Sequence, residues 1–206
     1  MKIRMWGVRG SIPSPGPHTA RYGGNTTCIE VRGDDDSLII LDAGTGIFPL
    51  AQSLLARLPV TANVFITHTH WDHIQGLPFF VPLYIPGNKV RIHGAYDIVN
   101  SLGIEQVMEV QMQYSYFPIR EDQVRDNIEY QTLTFGEPVA IGAATVTPVL
   151  MNHPVTDLGY RVHKHSFIPA ILSASSDCDN TIAKVIKNFP NLKWDASSYW
   201  LTIPKD

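Results

Sequence analysis

Apolar and polar positions alternate through the first eight residues, with Ile3, Met5, Trp6 and Val8 among polar neighbours, and predict a strand. The nine residues from Arg9 to Pro17 carry three prolines and two glycines, which excludes helix and central strand. Residues 26–32 and 37–41 read as two strands closed into a hairpin by Gly33-Asp34-Asp35-Asp36. The three aspartates are expected to be solvated turn residues that hydrogen-bond locally, not a metal site. Ile47, Leu50, Ala51, Leu54, Leu55 and Leu58 recur at helical spacing and stop at Pro59, so a helix is expected over 47–58. Short β-rich runs follow at 63–67 and 89–93, and a less regular helical pattern covers 97–113. Strand patterns return at 128–135, 138–141, 144–151, 157–163 and 167–173, before a last helix over 180–188 and a mixed tail over 192–203. No repeat, low-complexity stretch or linker divides the chain, so residues 1–206 read as one layered domain of α/β type.

Composition adds limits. At 206 residues and 44% hydrophobic the chain can bury a dry core, and only 17% of it is charged, below the usual quarter or so. A formal net charge of −3 leaves no broad electrostatic footprint for nucleic acid, so a nucleic-acid partner is disfavoured. Two cysteines, Cys28 and Cys178, cannot build a disulfide framework and suit a reducing compartment. The amino terminus has no signal-peptide pattern and no run reaches 18 apolar residues, which points to the cytoplasm and away from membranes.

The chemistry concentrates in Thr67-His68-Thr69-His70-Trp71-Asp72-His73, where three of the eight histidines and one aspartate fall within six residues. Scattered residues would produce such a cluster with a chance of about 1 in 1,000. The preceding Asn63-Val64-Phe65-Ile66 reads as a buried strand that delivers the cluster at its end. Two apart in extended chain, His68 and His70 project to the same side, whereas Asp72 and His73 follow where the chain turns and can aim at a second position. Imidazole with carboxylate is a ligand set for zinc, with manganese or iron as further choices.

This cluster resembles the HxHxDH signature of the metallo-β-lactamase superfamily. Leu41-Asp42-Ala43-Gly44-Thr45-Gly46 resembles that superfamily's upstream aspartate motif, whose aspartate orients ligand histidines. Gly7-Val8-Arg9-Gly10-Ser11-Ile12-Pro13, Arg21-Tyr22-Gly23-Gly24-Asn25-Thr26 and Gln111-Met112-Gln113-Tyr114-Ser115-Tyr116-Phe117-Pro118 are similar to segments of the ribonuclease Z and cyclic-nucleotide phosphodiesterase-like branch. Further on, His153 in Leu150-Met151-Asn152-His153-Pro154 matches the branch's third metal motif, and Asp177 in Ser175-Ser176-Asp177-Cys178-Asp179 its bridging aspartate, with Asp179 as the alternative register. Cys178 is expected to be a small buried residue. The dinuclear members end with one more histidine in a Gly-His-Ser-like context, and none follows His165 here.

The resemblance implies an αβ/βα four-layer sandwich lacking its final strand–helix unit, with the site at one edge between two sheets. His68, His70 and His153 would hold a first metal, Asp72 and His73 a second, and Asp177 would bridge them, so one or two zinc ions per chain are expected and the second site is the weaker. Asp42 would orient the histidines, and His18 and Asn25 would line the substrate. The implied activity is hydrolysis of a small-molecule phosphodiester by a metal-bound hydroxide, with Asp72 also placed to orient the nucleophile. Hydrolysis of thioester, lactone or lactam bonds, or a degenerate non-catalytic metal-binding domain, are the rival readings. His93 is expected to be structural, and His163 or His165 could replace the missing ligand. The aromatic tail over 192–203 is expected at a homo-oligomer contact.

Overall fold

The computed structural model describes residues 1–164, 170–172, 193–195 and 200–202. Its centre is formed by β3 (Leu38–Leu41), β4 (Thr61–Phe65), β5 (Lys89–Gly94) and β6 (Ile128–Thr132), each parallel to the next. A parallel strand covered on both faces needs apolar side chains throughout, which is why Leu38, Ile39, Ile40 and Leu41 run without a polar break and are all buried. Alternation divides them. Leu38 and Ile40 join Val64 and Ile92 under α1 (Ile47–Leu54) and α3 (Ile104–Gln111), while Ile39 and Leu41 join Phe65 against a second sheet.

Antiparallel β2 (Cys28–Arg32) and β1 (Lys2–Gly7) extend the first sheet from β3. The second sheet consists of β7 (Val139–Ile141), β8 (Ala144–Leu150), β9 (Leu158–Lys164) and β10 (Ala170–Leu172), all antiparallel. Val146, Leu158, Tyr160 and Val162 supply its share of the core between the sheets. Helices, sheet and sheet are thus three layers of the expected sandwich; the helix expected over 180–188 lies outside the described residues.

The strands of the carboxyl-terminal segment depart from expectation. β11 (Lys193–Asp195) and β12 (Trp200–Thr202) form a hairpin whose second strand pairs antiparallel with β1, giving an eight-stranded order β11-β12-β1-β2-β3-β4-β5-β6. Within the tail expected at a homo-oligomer contact, residues 193–195 and 200–202 thus pair inside the chain's own sheet.

Two helices are shorter than their patterns. The first ends at Leu54 and passes through one 3-10 turn, Leu55–Arg57, before Pro59. The second starts at Ile104 and not at 97, because the Asp97 carboxylate accepts the Val99 and Asn100 amides (2.9 and 3.2 Å) and holds a turn closed by Asp97–Leu102 backbone bonds. The aspartate turn is local, as expected, but also reaches across the molecule. Asp35 accepts the Ala143 amide at 2.9 Å and so ties the β2–β3 turn to the β7–β8 turn.

Candidate metal centre

The site grows from the carboxyl ends of β3 and β4, where parallel strands release their loops to the same side. Asp42, one residue beyond β3, adopts a left-handed backbone (φ 61°), a conformation that aspartate tolerates better than most residues. Its buried carboxylate accepts the Thr67 amide at 2.8 Å, the Thr67 hydroxyl at 2.9 Å and His73 Nδ1 at 2.9 Å. These bonds pull Thr67 out of the strand register and fix where the histidines begin. Gly44 and Gly76 let the two loops interlock: a Cβ at Gly44 would strike the Asp72 carbonyl, and one at Gly76 the Gly44 carbonyl.

His70 caps a single helical turn, α2 (Trp71–Ile74), which carries Asp72 and His73. His68 and His70 do project to one side, with His68 Nε2 3.1 Å from His70 Nδ1. His153 arrives from the loop between β8 and β9, its Nε2 3.4 Å from the same His70 nitrogen. The loop is docked by the Leu158 amide on the Thr67 carbonyl (2.9 Å) and the Tyr160 hydroxyl on the Ile66 carbonyl (2.5 Å). All three ligand atoms lie within 4.8 Å of one another.

The surroundings set these nitrogens up as donors to a cation. His68 Nδ1 faces the Asp157 carboxylate at 3.4 Å and the Thr67 hydroxyl at 3.2 Å, which keeps the ring proton on Nδ1 and turns the Nε2 lone pair toward His70. Partial burial, followed by the proximity of His68 and His153, lowers the His70 pKa and keeps it unprotonated. Three imidazole nitrogens converging in this way fit a zinc-type ion.

The neighbouring position differs. His73 donates Nδ1–H to Asp42, and its Nε2 stands 3.4 Å from Asp72 Oδ2. Burial would lower the His73 pKa, but Asp42, Asp72 and Asp157 outweigh it and raise it. Asp72 Oδ2 also accepts the amide of Ser11, which itself sits at φ 68°. The loop rich in proline and glycine is thereby tied to the motif.

The structure therefore brings together His68, His70, Asp72, His73 and His153 with Asp42 behind them. Asp177, Asp179, Cys178 and His165 lie outside the described residues. His18 sits exposed on the 3-10 turn Pro17–Thr19, and neither it nor Asn25 lines the cavity beside the histidines. Asn25 instead accepts the Thr45 hydroxyl at 3.1 Å and, through its carbonyl, the Val8 and Arg9 amides, so it braces two loops. His163 pairs with Thr145, five residues along β9 from the strand's site end at Leu158, about 16 Å away at a strand's rise. Asp157 is the residue that sequence reasoning missed. Its signal was faint: an acid four residues after His153, just where a strand begins.

Two packed sheets with helices on one outer face and a histidine cluster at their edge define a sandwich of the metallo-β-lactamase kind. Residues 38–188 match the beta-lactamase superfamily domain, and the chain belongs to this superfamily. It is 32% identical over 170 residues to a ribonuclease Z of a Nostoc species, covering 79% of this chain and 46% of that protein. It is 26% identical over 190 residues to the uncharacterized protein Rv1339 of Mycobacterium tuberculosis, covering 88% of this chain and 63% of the relative. The chain thus spans about half to two-thirds of the length of these relatives. Among solved structures, the metallo-beta-lactamase fold protein YhfI from Bacillus subtilis superposes with a TM-score of 0.55 at 19% identity, over 80% of this chain and 59% of that one. No helix among the described residues is long and apolar enough to cross a membrane.

Proposed function

We propose that this protein is a metal-dependent hydrolase of small phosphodiesters. The convergence of His68 Nε2, His70 Nδ1 and His153 Nε2 carries the reading, because three lone pairs held this close call for a cation between them. A divalent ion held there supplies a Lewis acid and a bound water acidic enough to ionise near neutral pH. His68, held by Asp157 and Thr67, and His73, held by Asp42, keep their rings oriented without further rearrangement. Asp72, fixed by the Ser11 amide beside His73, is the group placed to orient the attacking water and accept its proton. Zinc is the ion the donor set favours, with manganese or iron next. Asp177 is the residue proposed to bridge toward the second position, and the cytoplasm and a homo-oligomer remain part of the same reading. The match to a ribonuclease, an enzyme that cleaves phosphodiester bonds, supports this bond over the thioester, lactone and lactam alternatives.

The test is hydrolysis of bis(4-nitrophenyl) phosphate by purified protein with zinc or manganese. Activity is expected to disappear on chelation and return with metal, with no turnover of thioesters or lactones. Activity that survives exhaustive chelation, or turnover confined to carboxyl and thioesters, overturns the reading.

A further inference from the structure

A cavity of about 210 Å³ opens directly beside His68 and His70, between the loop that follows β5 and the loop that enters β9. Drug-sized ligands occupy about 300–1,000 Å³, so this space suits a single ring system and not a chain of nucleotides. Its outer wall is Tyr96 and Val99, exposed at 45% and 70%, and its inner wall includes Val155. Among the described residues no lysine or arginine lines it, and the one charged liner outside the histidines is Asp97, whose carboxylate is held ionised by the Asn100 side chain (2.8 Å) and by the Val99 and Asn100 amides. A second phosphate placed here would meet a fixed negative charge with nothing to neutralise it. Thr156 also lines the space.

We infer that this cavity is the recognition pocket for one uncharged, ring-bearing arm of the substrate, so that the hydrolase acts on small phosphodiesters carrying a single phosphate and a neutral aromatic arm. The inference rests on the proposed phosphodiesterase reading and adds which diesters fit. The phosphate stands at the histidine end, and the ring lies between Tyr96 and Val155. Tyr96 is then a specificity residue that touches the substrate.

Two measurements separate the pocket from the reaction. Benzyl alcohol, a neutral ring without phosphate, is titrated into isotope-labelled protein and compared with terephthalate, a ring of similar size bearing a negative charge at each end, so that one charge faces Asp97 whichever way it enters. The neutral probe is expected to shift the amide resonances of residues 95–100 and 155–156, and the anion to leave them in place. In kinetics, Tyr96→Ala is expected to raise KM for bis(4-nitrophenyl) phosphate about tenfold with less than a twofold fall in kcat, and Tyr96→Phe to restore it. Tyr114→Ala, an exposed tyrosine remote in sequence from the cavity loops, serves as the control with wild-type parameters. Neutral-ring shifts without any phosphodiester turnover keep the pocket and overturn the reaction. Turnover with an unchanged KM in Tyr96→Ala, or equal shifts from both probes, overturns the pocket.

Discussion

The two proposed cation positions lie side by side at the edge of the sheets, yet they are built in opposite ways. At the first, three imidazoles turn ring nitrogens toward one another, and the field around His70 disfavours a proton. At the second, His73 and Asp72 are bound up with Asp42 and the Ser11 amide, and three carboxylates favour a proton on His73. The first position is complete within the described residues. The second has two donors there and needs more. In the proposed reading a strong and a weak metal position can therefore stand side by side, because what matters is whether the protein's own hydrogen bonds leave lone pairs unspent.

The sharpest way to break this comparison is to remove one imidazole from each position. His153→Ala is expected to weaken the tighter metal more than about a hundredfold, beyond the 10–100-fold typical of groups that only orient ligands. His73→Ala should leave that metal bound. Metal content measured after dialysis checks both, and equal loss in the two variants would erase the distinction.

Asp157→Asn comes next. It keeps the shape but removes the charge facing His68, and metal affinity is expected to fall within that 10–100-fold range with little change in melting temperature. A competition titration with a coloured chelator reads it.

His93 extends the comparison to a histidine with no metal role. Burial, with a smaller contribution from Arg91, pushes its pKa down to about 4 even though Gln131 works the other way, and it stacks on Phe65 at 4.2 Å. The unfolded chain binds the proton near 6.5, so the stability from neutral His93 is full above that pH and is lost as pH falls toward 4, by about 3 kcal/mol at most. Denaturant unfolding of metal-free protein at pH 7 and 4.5 should show this loss, and His93→Leu should shrink the difference between the two.

The smallest expected effect is at Ser11. Glycine adopts a positive φ without strain, so Ser11→Gly should keep the amide on Asp72 and stabilise the protein by about 0.5–1 kcal/mol, visible as a small rise in melting temperature. A fall instead would mean that the Ser11 side chain matters more than its backbone.

Much of this was legible in the sequence where one physical rule dominated. The apolar run at 37–41 read as a strand, and Leu38–Leu41 is one; the density of histidines at 68–73 pointed to chemistry, and the fold gathers three of those side chains at one edge. Legibility failed where distant partners decide. The turn at 97–102 sits inside a helical pattern and is settled by the Asp97 carboxylate, whose local bonds outcompete the helix. That Asn25 braces two loops through Thr45 is a contact no local pattern announces. Asp157 gained meaning only when folding set it against His68, 89 positions earlier in the chain. The pairing of β12 with β1 is likewise a register that no local pattern encodes.

His70 and His153 belong to different sheets and stand 83 residues apart in the chain. An ion held between them is a clasp as much as a reagent. By the chain-entropy reasoning applied to disulfides, a cross-link closing a loop of that length removes about 4.5 kcal/mol of freedom from the unfolded chain. Losing the ion would then do more than silence the site: it would lower the stability of the whole fold, and a protease should find the loop between β8 and β9 first.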